Sequence, residues 1–504
     1  MKNRCHISLV VLIMVFGIKA YSQQSRQGFL YLDKDEETHQ MGMYALETVD
    51  GCFFVASVSY GLVFGWEPGT ISKISPDGEL IRKINIGDTY STIAGLFTAD
   101  DSKGHHYYAI GDRWDAESHP IIFILHFDDD LNVIDFVDVE LPTSFIQLES
   151  SKALIDSEGK VLFASALIYG TNYTWKQLNM RLTIDGTIED YEILPGSLPG
   201  SLFESTDGNC WSYNCGSLYR FNGVNLIPDL IHNYDMLAYE QTGDSLHYIQ
   251  ISSALYPTGV ILPDSSFIIA EQVFECKSKV TSPINKIEDQ CVFFKSTFEG
   301  DVEKFIMIGS NDTLERPSGY QSIDYIYPDS IYLCAFQDYE PDANGNIVMG
   351  NKIFLKKVDS NLNVIWEKSY QIGPEHYGPE HLLATRDGGC LITGKVFYDI
   401  DTEQVDVFVM KINPDGTVGI EDIMVEDIRP YTYYPNPAQN ELHLQYSPDV
   451  KPMQVELYDL QGRLVRTQSK DLESLSLQGL SAGTYTMRVM LEDGKVFSDK
   501  VVKE

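Results

Sequence analysis

The chain has 504 residues, 43% of them hydrophobic, which is enough for a large core but long for one ordinary compact domain unless that domain is an array of repeats. Lys and Arg number 37 against 73 Asp and Glu, and the formal charge of -36 excludes a nucleic-acid partner, whose phosphates so acidic a surface would repel. The bland reading of that acidity is a solvated exterior.

In chain order, the first element is MKNRCHISLVVLIMVFGIKAYSQ, with Lys2 and Arg4 ahead of an apolar run from Ile7 to Ile18 and then Ala20, Tyr21 and Ser22. A charged start, a short apolar run and a small-x-small site describe a signal peptide over residues 1–22, too short to span a membrane. Cys5 lies before the apolar run, where acylation of a lipoprotein would need it after. No later segment approaches 18 uninterrupted apolar residues, so no transmembrane segment is expected in the exported chain. Export leaves seven of the eight cysteines in a compartment that permits disulfides. Cys276 with Cys291, and Cys210 with Cys215, are candidate pairs, against the alternative of buried unpaired thiols.

Residues 23–423 are dominated by one recurring phrase. It reads TVDGCFFVAS at 48–57, DDSKGHHYYAIG at 100–111, IDSEGKVLFAS at 155–165, STDGNCWSY at 205–213, LPDSSFIIAE at 262–271, YPDSIYLCAF at 327–336 and TRDGGCLITG at 385–394. Each is a polar turn followed by a β-branched or aromatic run. The anchoring acids Asp50, Asp101, Asp156, Asp207, Asp264, Asp329 and Asp387 stand 51 to 65 residues apart. Some 25 residues beyond each phrase a second alternating hairpin follows, as in ISKISPDGELIRKI at 71–84 and VFVMKINPDGTVGI at 407–420. Two hairpins make four strands per module. Seven such modules, with no convincing amphipathic helix between them, predict an all-β fold, a seven-bladed β-propeller. The phrase itself is then blade punctuation, and Cys52, Cys210 and Cys390, which follow equivalent turns in different blades, should not converge on a metal.

Three stretches carry candidate chemistry. GPEHYGPEH at 373–381 holds Glu375, His376, Glu380 and His381, residue types suited to zinc or to acid–base work. Pro374 and Pro379 rule out one helix presenting both His residues, and the stretch reads as a loop leading into the seventh module. Asp128, Asp129 and Asp130, and DYEPDANGN at 338–346, are rich in oxygen ligands but lack the spacing of a calcium-binding hand. The first reads more simply as a hairpin turn. No phosphate loop, dinucleotide fingerprint, nucleophile elbow or zinc-protease helix is present. No cofactor or metal site is assigned, and catalytic residues stay unknown.

After an acidic joint at 424–430, residues 431–504 change character. Short alternating strands, ELHLQY, QVELYDL, RLVRTQ, TYTMRVM and KVFSDKVV, predict a small Ig-like antiparallel sandwich. Three spaced motifs stand in this tail. Pro435, Asn436 and Pro437 precede Leu442. Leu457, Tyr458, Asp459, Leu460, Gly462 and Arg463 form a central LYDLxGR element, and Leu480, Gly483, Tyr485 and Arg488 form a third, ahead of Lys500, Val501 and Val502. On these residues the tail resembles the C-terminal sorting domain of type IX secretion substrates of Bacteroidetes. The resemblance implies export to the periplasm, passage across the outer membrane by the type IX machinery as partner, and a secreted or outer-membrane surface-attached product. The repeated phrase also resembles the T-x-D-G-G-x-x-x-x-G repeats of large exported Bacteroidetes proteins, a functionally diverse group.

These readings make the propeller a binding module, because loops and a central funnel gather ligands, and 30 Tyr with 24 Phe suit carbohydrate or protein contact. Two alternatives stay open. One is a polysaccharide-degrading hydrolase or lyase with paired acids about 5–10 Å apart. The other is a structural surface component.

Overall fold

A computed structural model describes residues 28–504, except 35–37, 62–65, 102–103, 116, 118, 142–144, 170–173, 196–199, 215–216, 222–225, 235, 241–245, 252–257, 277–288, 309–312, 328, 342–346, 399–403, 420–422, 428–430, 447–449, 460–462 and 493–495. The signal peptide expected at residues 1–22 lies outside the described residues. Among the described residues all regular structure is β. The chain falls into two compact units, one of Met1–Trp366 with Gln371–Met424 and one of Glu367–Tyr370 with Val425–Glu504.

In the first unit, seven antiparallel sheets follow one another among the described residues. Their innermost strands are Thr38–Glu47, Ser91–Asp101, Phe145–Ile155, Ser201–Glu204, Thr258–Ile261, Ile323–Tyr327 and His376–Ala384; the fifth and sixth sheets carry extra strands, among them Met236–Glu240 and Leu314–Pro317, which precede the innermost one in the chain. Each innermost strand touches that of the next sheet, and the seventh touches the first again, so the contacts form a closed cycle. The closure is staggered, because Phe29–Asp33 from the chain start pairs antiparallel with Val405–Ile412 and completes the last sheet. The architecture is a β-propeller, a solution that leaves short protected edges in place of one long exposed edge.

Apolar alternation places the core between neighbouring sheets. Phe54 of the first sheet meets Tyr107 and Phe127 of the second edge-on at 4.8 and 5.3 Å. Phe163 and Met180 of the third pack on Ile110 and Ile122 of the second, and Leu391 and Val409 of the last pack on Phe53 and Val55 of the first. Each fully buried Phe contributes about 1.5–3 kcal/mol, so stability is spread around the ring.

The recurring phrase is a hairpin turn between the innermost strand and the one after it. Thr385 Oγ1 donates to Asp387 at 2.6 Å and the Gly389 amide donates to the same carboxylate at 3.0 Å. Gly388 takes φ +84°, and Gly51 in the first module takes φ +81°, values a side chain would strain. The acid has a further role that the phrase alone does not reveal. Lys411 Nζ, on the third strand of that sheet, lies 2.9 Å from Asp387, and Lys73–Asp50 and Lys295–Asp264 repeat the pair at 3.1 and 3.0 Å. Burial pushes the Asp387 carboxyl up, but the lysine charge and the turn donors together outweigh it and hold the group below its ordinary range.

The Asp128–Asp130 stretch is such a turn. Asp128 accepts from the amides of Asp130 and Asn132, while the Asp129 and Asp130 carbonyls accept from Lys73 and Arg82 of the preceding sheet. The expected Cys276–Cys291 bridge fails on register. Cys291 stands opposite Gln272 and Cys276 opposite Tyr248, so the two lie four residues apart along the sheet, about 13 Å at strand spacing. Cys52, Cys210, Cys291, Cys334 and Cys390 are buried and unbridged; Cys215 lies outside the described residues.

The second unit holds two sheets of its own, with strand orders Tyr431–Tyr434, Glu441–Tyr446, Ser474–Ser476 and Leu464–Gln468, Pro452–Tyr458, Gly483–Leu491, Val496–Lys503. Leu442, Leu457, Leu475, Met487 and Val489 fill one core between them. Within the segment expected as a joint at 424–430 the chain forms the strand Ile423–Asp427. Its apolar run IMV carries that strand past the acids on either side.

Candidate functional site: the central cavity

The innermost strands do more than close the ring. Five of them carry a register shift, and in four it falls at one level of the repeat, between Gly42 and Tyr44, Ile93 and Gly95, Glu149 and Lys152, and Pro379 and His381. A bulge of this kind bends the strand and re-aims the residue after it. In the third sheet the distortion includes Ser150 at φ +53°. The residues that follow the bulges, Tyr44, Gly95, Lys152 and His381, occupy one position of the repeat, and by register Ser201, Thr258 and Ser322 occupy it in the other sheets. Thr258 and Ser322 satisfy each other at 2.7 Å.

Around these residues lies a cavity of about 310 Å³ to which all seven sheets contribute, at the small end of the ~300–1,000 Å³ typical of ligand sites. Two residues further along, Leu46, Phe97, Leu154, Leu383 and Asp324 form an apolar layer with a single carboxylate. Asp324 accepts from the Ala384 amide at 2.7 Å and the Tyr325 amide at 2.8 Å. Burial nevertheless pushes its carboxyl up to about 7, overriding those two donors.

Lys152 is 7% exposed. Its ammonium lies 4.5 Å from the Tyr320 ring centroid and 6.0 Å from that of Tyr44, and 3.4 Å from the Tyr320 carbonyl. Burial brings it down to about 7, with Glu380 as the charge that partly offsets the fall. Glu380 is itself held by Lys395 at 2.8 Å. Tyr44 closes an aromatic wall, 5.5 Å from Tyr320 and 5.4 Å from His381 between ring centroids. His381 is 5% exposed, its Nδ1 has no hydrogen-bond partner, and burial with the neighbouring Lys152 brings the ring down to about 3. At neutral pH the imidazole is therefore uncharged, and burial moves both Lys152 and Asp324 toward their neutral forms.

The GPEHYGPEH stretch is thus corrected. Gly373, Pro374 and Glu375 form a turn, the first two exposed, and from His376 the stretch enters the innermost strand His376–Ala384 of the last sheet, buried but for the half-buried Leu383. Pro379 is tolerated because this is an edge strand and the proline sits at the bulge. His376 is engaged by the Gly350 carbonyl and lies 3.9 Å from Asp338, while His381 faces the cavity. Among the described residues no three His, Cys, Asp or Glu gather to hold a metal. Tyr44, Lys152, Tyr320 and Asp324 went unmarked by sequence reasoning. Their signal was positional: Tyr44, Lys152, Ser201, Thr258 and His381 each stand four residues before the first residue of their turn.

The tail motifs have structural partners of their own. Asn436 Oδ1 accepts from the Val502 amide at 2.8 Å, between Pro435 and Pro437. Leu457 is fully buried, Tyr458 donates to Glu456 at 2.6 Å, and Arg463 closes on Asp459 at 2.6 Å; Gly462 lies outside the described residues. Tyr485, two residues beyond Gly483, is buried and its hydroxyl donates to the Ser481 carbonyl at 2.7 Å. This segment matches a known family over residues 432–504. It is a secretion system C-terminal sorting domain. The sorting domain indicates an exported protein, extracellular or attached at the cell surface, and implies engagement with the type IX secretion machinery. No helix among the described residues is long and apolar enough to cross a membrane.

No curated protein matches the sequence. Among solved structures, similarity extends to the alpha-L-arabinofuranosidase of Fusarium graminearum in complex with arabinobiose, at 13% identity and TM-score 0.43 over 77% of this chain and 98% of that one. A protein of unknown function from Dyadobacter fermentans matches at 10% identity and TM-score 0.38, over 64% and 95% of the two chains. YCF48 bound to D1 peptide matches at 12% identity and TM-score 0.36, over 75% and 98%.

Proposed function

We propose that the chain is an exported binding module, with the seven sheets acting as seven propeller blades over residues 23–423 and the ligand held in their central cavity. Residues 1–22 serve as signal peptide and residues 431–504 as the address, with Pro435, Asn436, Pro437, Leu457, Tyr458, Asp459, Gly462, Arg463, Gly483 and Tyr485 as its recognised surface and scaffold. The observation that carries this reading is the cavity at the ring centre, with an aromatic wall on one side and convergent polar groups on the other. Tyr44 and Tyr320 offer faces, and Lys152, Asp324, Gln321 and His381 offer directional polar contacts, the combination that a sugar ring needs.

A glycosidase would require two acids flanking the scissile bond. Asp324 is the one carboxylate among the described lining residues, which favours binding over hydrolysis. The test incubates the purified protein with a panel of soluble and insoluble polysaccharides and records both retention and new reducing ends. Retention without new ends supports the reading. New reducing ends, or no retention at all, would overturn it.

A further inference from the structure

Lys152 is a cation without a counter-ion in an otherwise acidic protein. Its neighbours are two aromatic rings and a backbone carbonyl, and no carboxylate among the described residues stands within salt-bridge distance. Glu380, the nearest acid by its field, is already paired with Lys395. Beside Lys152, His381 presents a buried nitrogen with no partner into the same cavity. Buried polar groups are ordinarily paired, and exceptions in a cavity indicate where a ligand would complete the pairing.

We propose that the cavity takes the ring of an acidic sugar, a hexuronic acid unit, with Lys152 as the counter-ion of its carboxylate and His381 Nδ1 as partner of a ring hydroxyl. This rests on the binding reading above and names its substrate class. A hydroxyl both donates and accepts, so it satisfies either tautomer of the neutral imidazole. The Tyr44 and Tyr320 rings supply the apolar contact that one sugar face makes, and the cavity is small enough for one or two rings and no more.

The pairing has a pH signature. The titratable groups facing Lys152 are Glu380, His381, Tyr44 and Tyr320, with Asp324 in the layer beside them. His381 and Tyr44 stay neutral between pH 5 and 9, given the low ring value and the raised Tyr44 hydroxyl. Above about pH 7 Lys152 loses its proton and Asp324 gains its charge, and both changes weaken the hold on a carboxylate. Affinity for a uronate should therefore fall about tenfold per pH unit above 7.

The experiment titrates the purified full-length protein and its Lys152→Met variant with D-galacturonic acid, D-glucuronic acid, D-galactose and D-glucose by calorimetry at pH 6 and pH 8. The expected result is a uronate bound at least tenfold tighter than its neutral counterpart at pH 6, with that preference reduced at pH 8 and absent in the variant. Thermal unfolding of the variant confirms that it is folded. Equal binding of acid and neutral sugars, or an undiminished preference in the variant, would overturn the inference while leaving the cavity a sugar site. Binding of none of the four would overturn the inference and count against the sugar reading as well.

Discussion

Replacing Lys152 by methionine tests the electrostatics of the cavity without any ligand. The ordinary lysine value is 10.5 and burial takes Lys152 to about 7, a gap of roughly 3.5 pH units, or at most about 5 kcal/mol at ~1.4 kcal/mol per unit. Below pH 7 the amine is protonated in both folded and unfolded chains, and the folded state bears the whole cost. Between pH 7 and 10.5 the folded chain binds fewer protons than the unfolded one, so wild-type stability rises with pH at up to ~1.4 kcal/mol per unit. A methionine at this position has no charge to desolvate and approximates the lysine stem in length. Denaturant unfolding of both proteins at pH 6, 7, 8, 9 and 10 measures the difference, in which groups common to both proteins cancel to first order. Lys152→Met should be the more stable by several kcal/mol at pH 6, and its advantage should shrink steadily above pH 7. Parallel stability curves, or a variant less stable at pH 6, would refute the reasoning and mean that the ammonium is solvated or paired.

Other outcomes follow from the repeat and the tail. Asp387→Ala leaves Lys411, with 1% of its side chain exposed, without its carboxylate, and should destabilise the protein by about 3 kcal/mol by denaturant unfolding. Asp207→Ala removes only turn hydrogen bonds from Ser205 and Asn209 and should cost much less; equal losses would deny the ion pair its role. The five buried thiols should resist a thiol reagent in the native protein and all be labelled in denaturant without reductant, and a peptide map in which Cys52, Cys210, Cys291, Cys334 or Cys390 stays unlabelled would reveal a disulfide. Deleting residues 432–504 should trap the protein inside a type IX-competent host by cell fractionation, whereas continued appearance outside would remove the tail as the address.

Much of the ring was legible because Asp-Gly turns and period-two strands are local signals. Thr385, Asp387 and Gly388 bond to one another within four residues, so their pattern survives without the rest of the chain. The tail was legible for a different reason, three spaced motifs in order. The cavity was not. A bulge shifts inward and outward parity by one residue, and nothing in FIQLESSKALI states that Lys152 follows one. GPEHYGPEH misled for a related reason, since prolines argue against strands in general but not at the bulge of an innermost edge strand. The Lys411–Asp387 partnership joins residues 24 positions apart, a pairing that only the sheet register creates. Aligning the modules on their turns would have exposed the column holding Tyr44, Lys152 and His381 as the variable inner position.

The most direct test of the account is a crystal structure of the protein with bound D-galacturonic acid. The account requires the sugar within the central cavity, its carboxylate at Lys152 and its ring against Tyr44 and Tyr320. A sugar seated on the outer faces of the sheets, with the cavity empty, would contradict it.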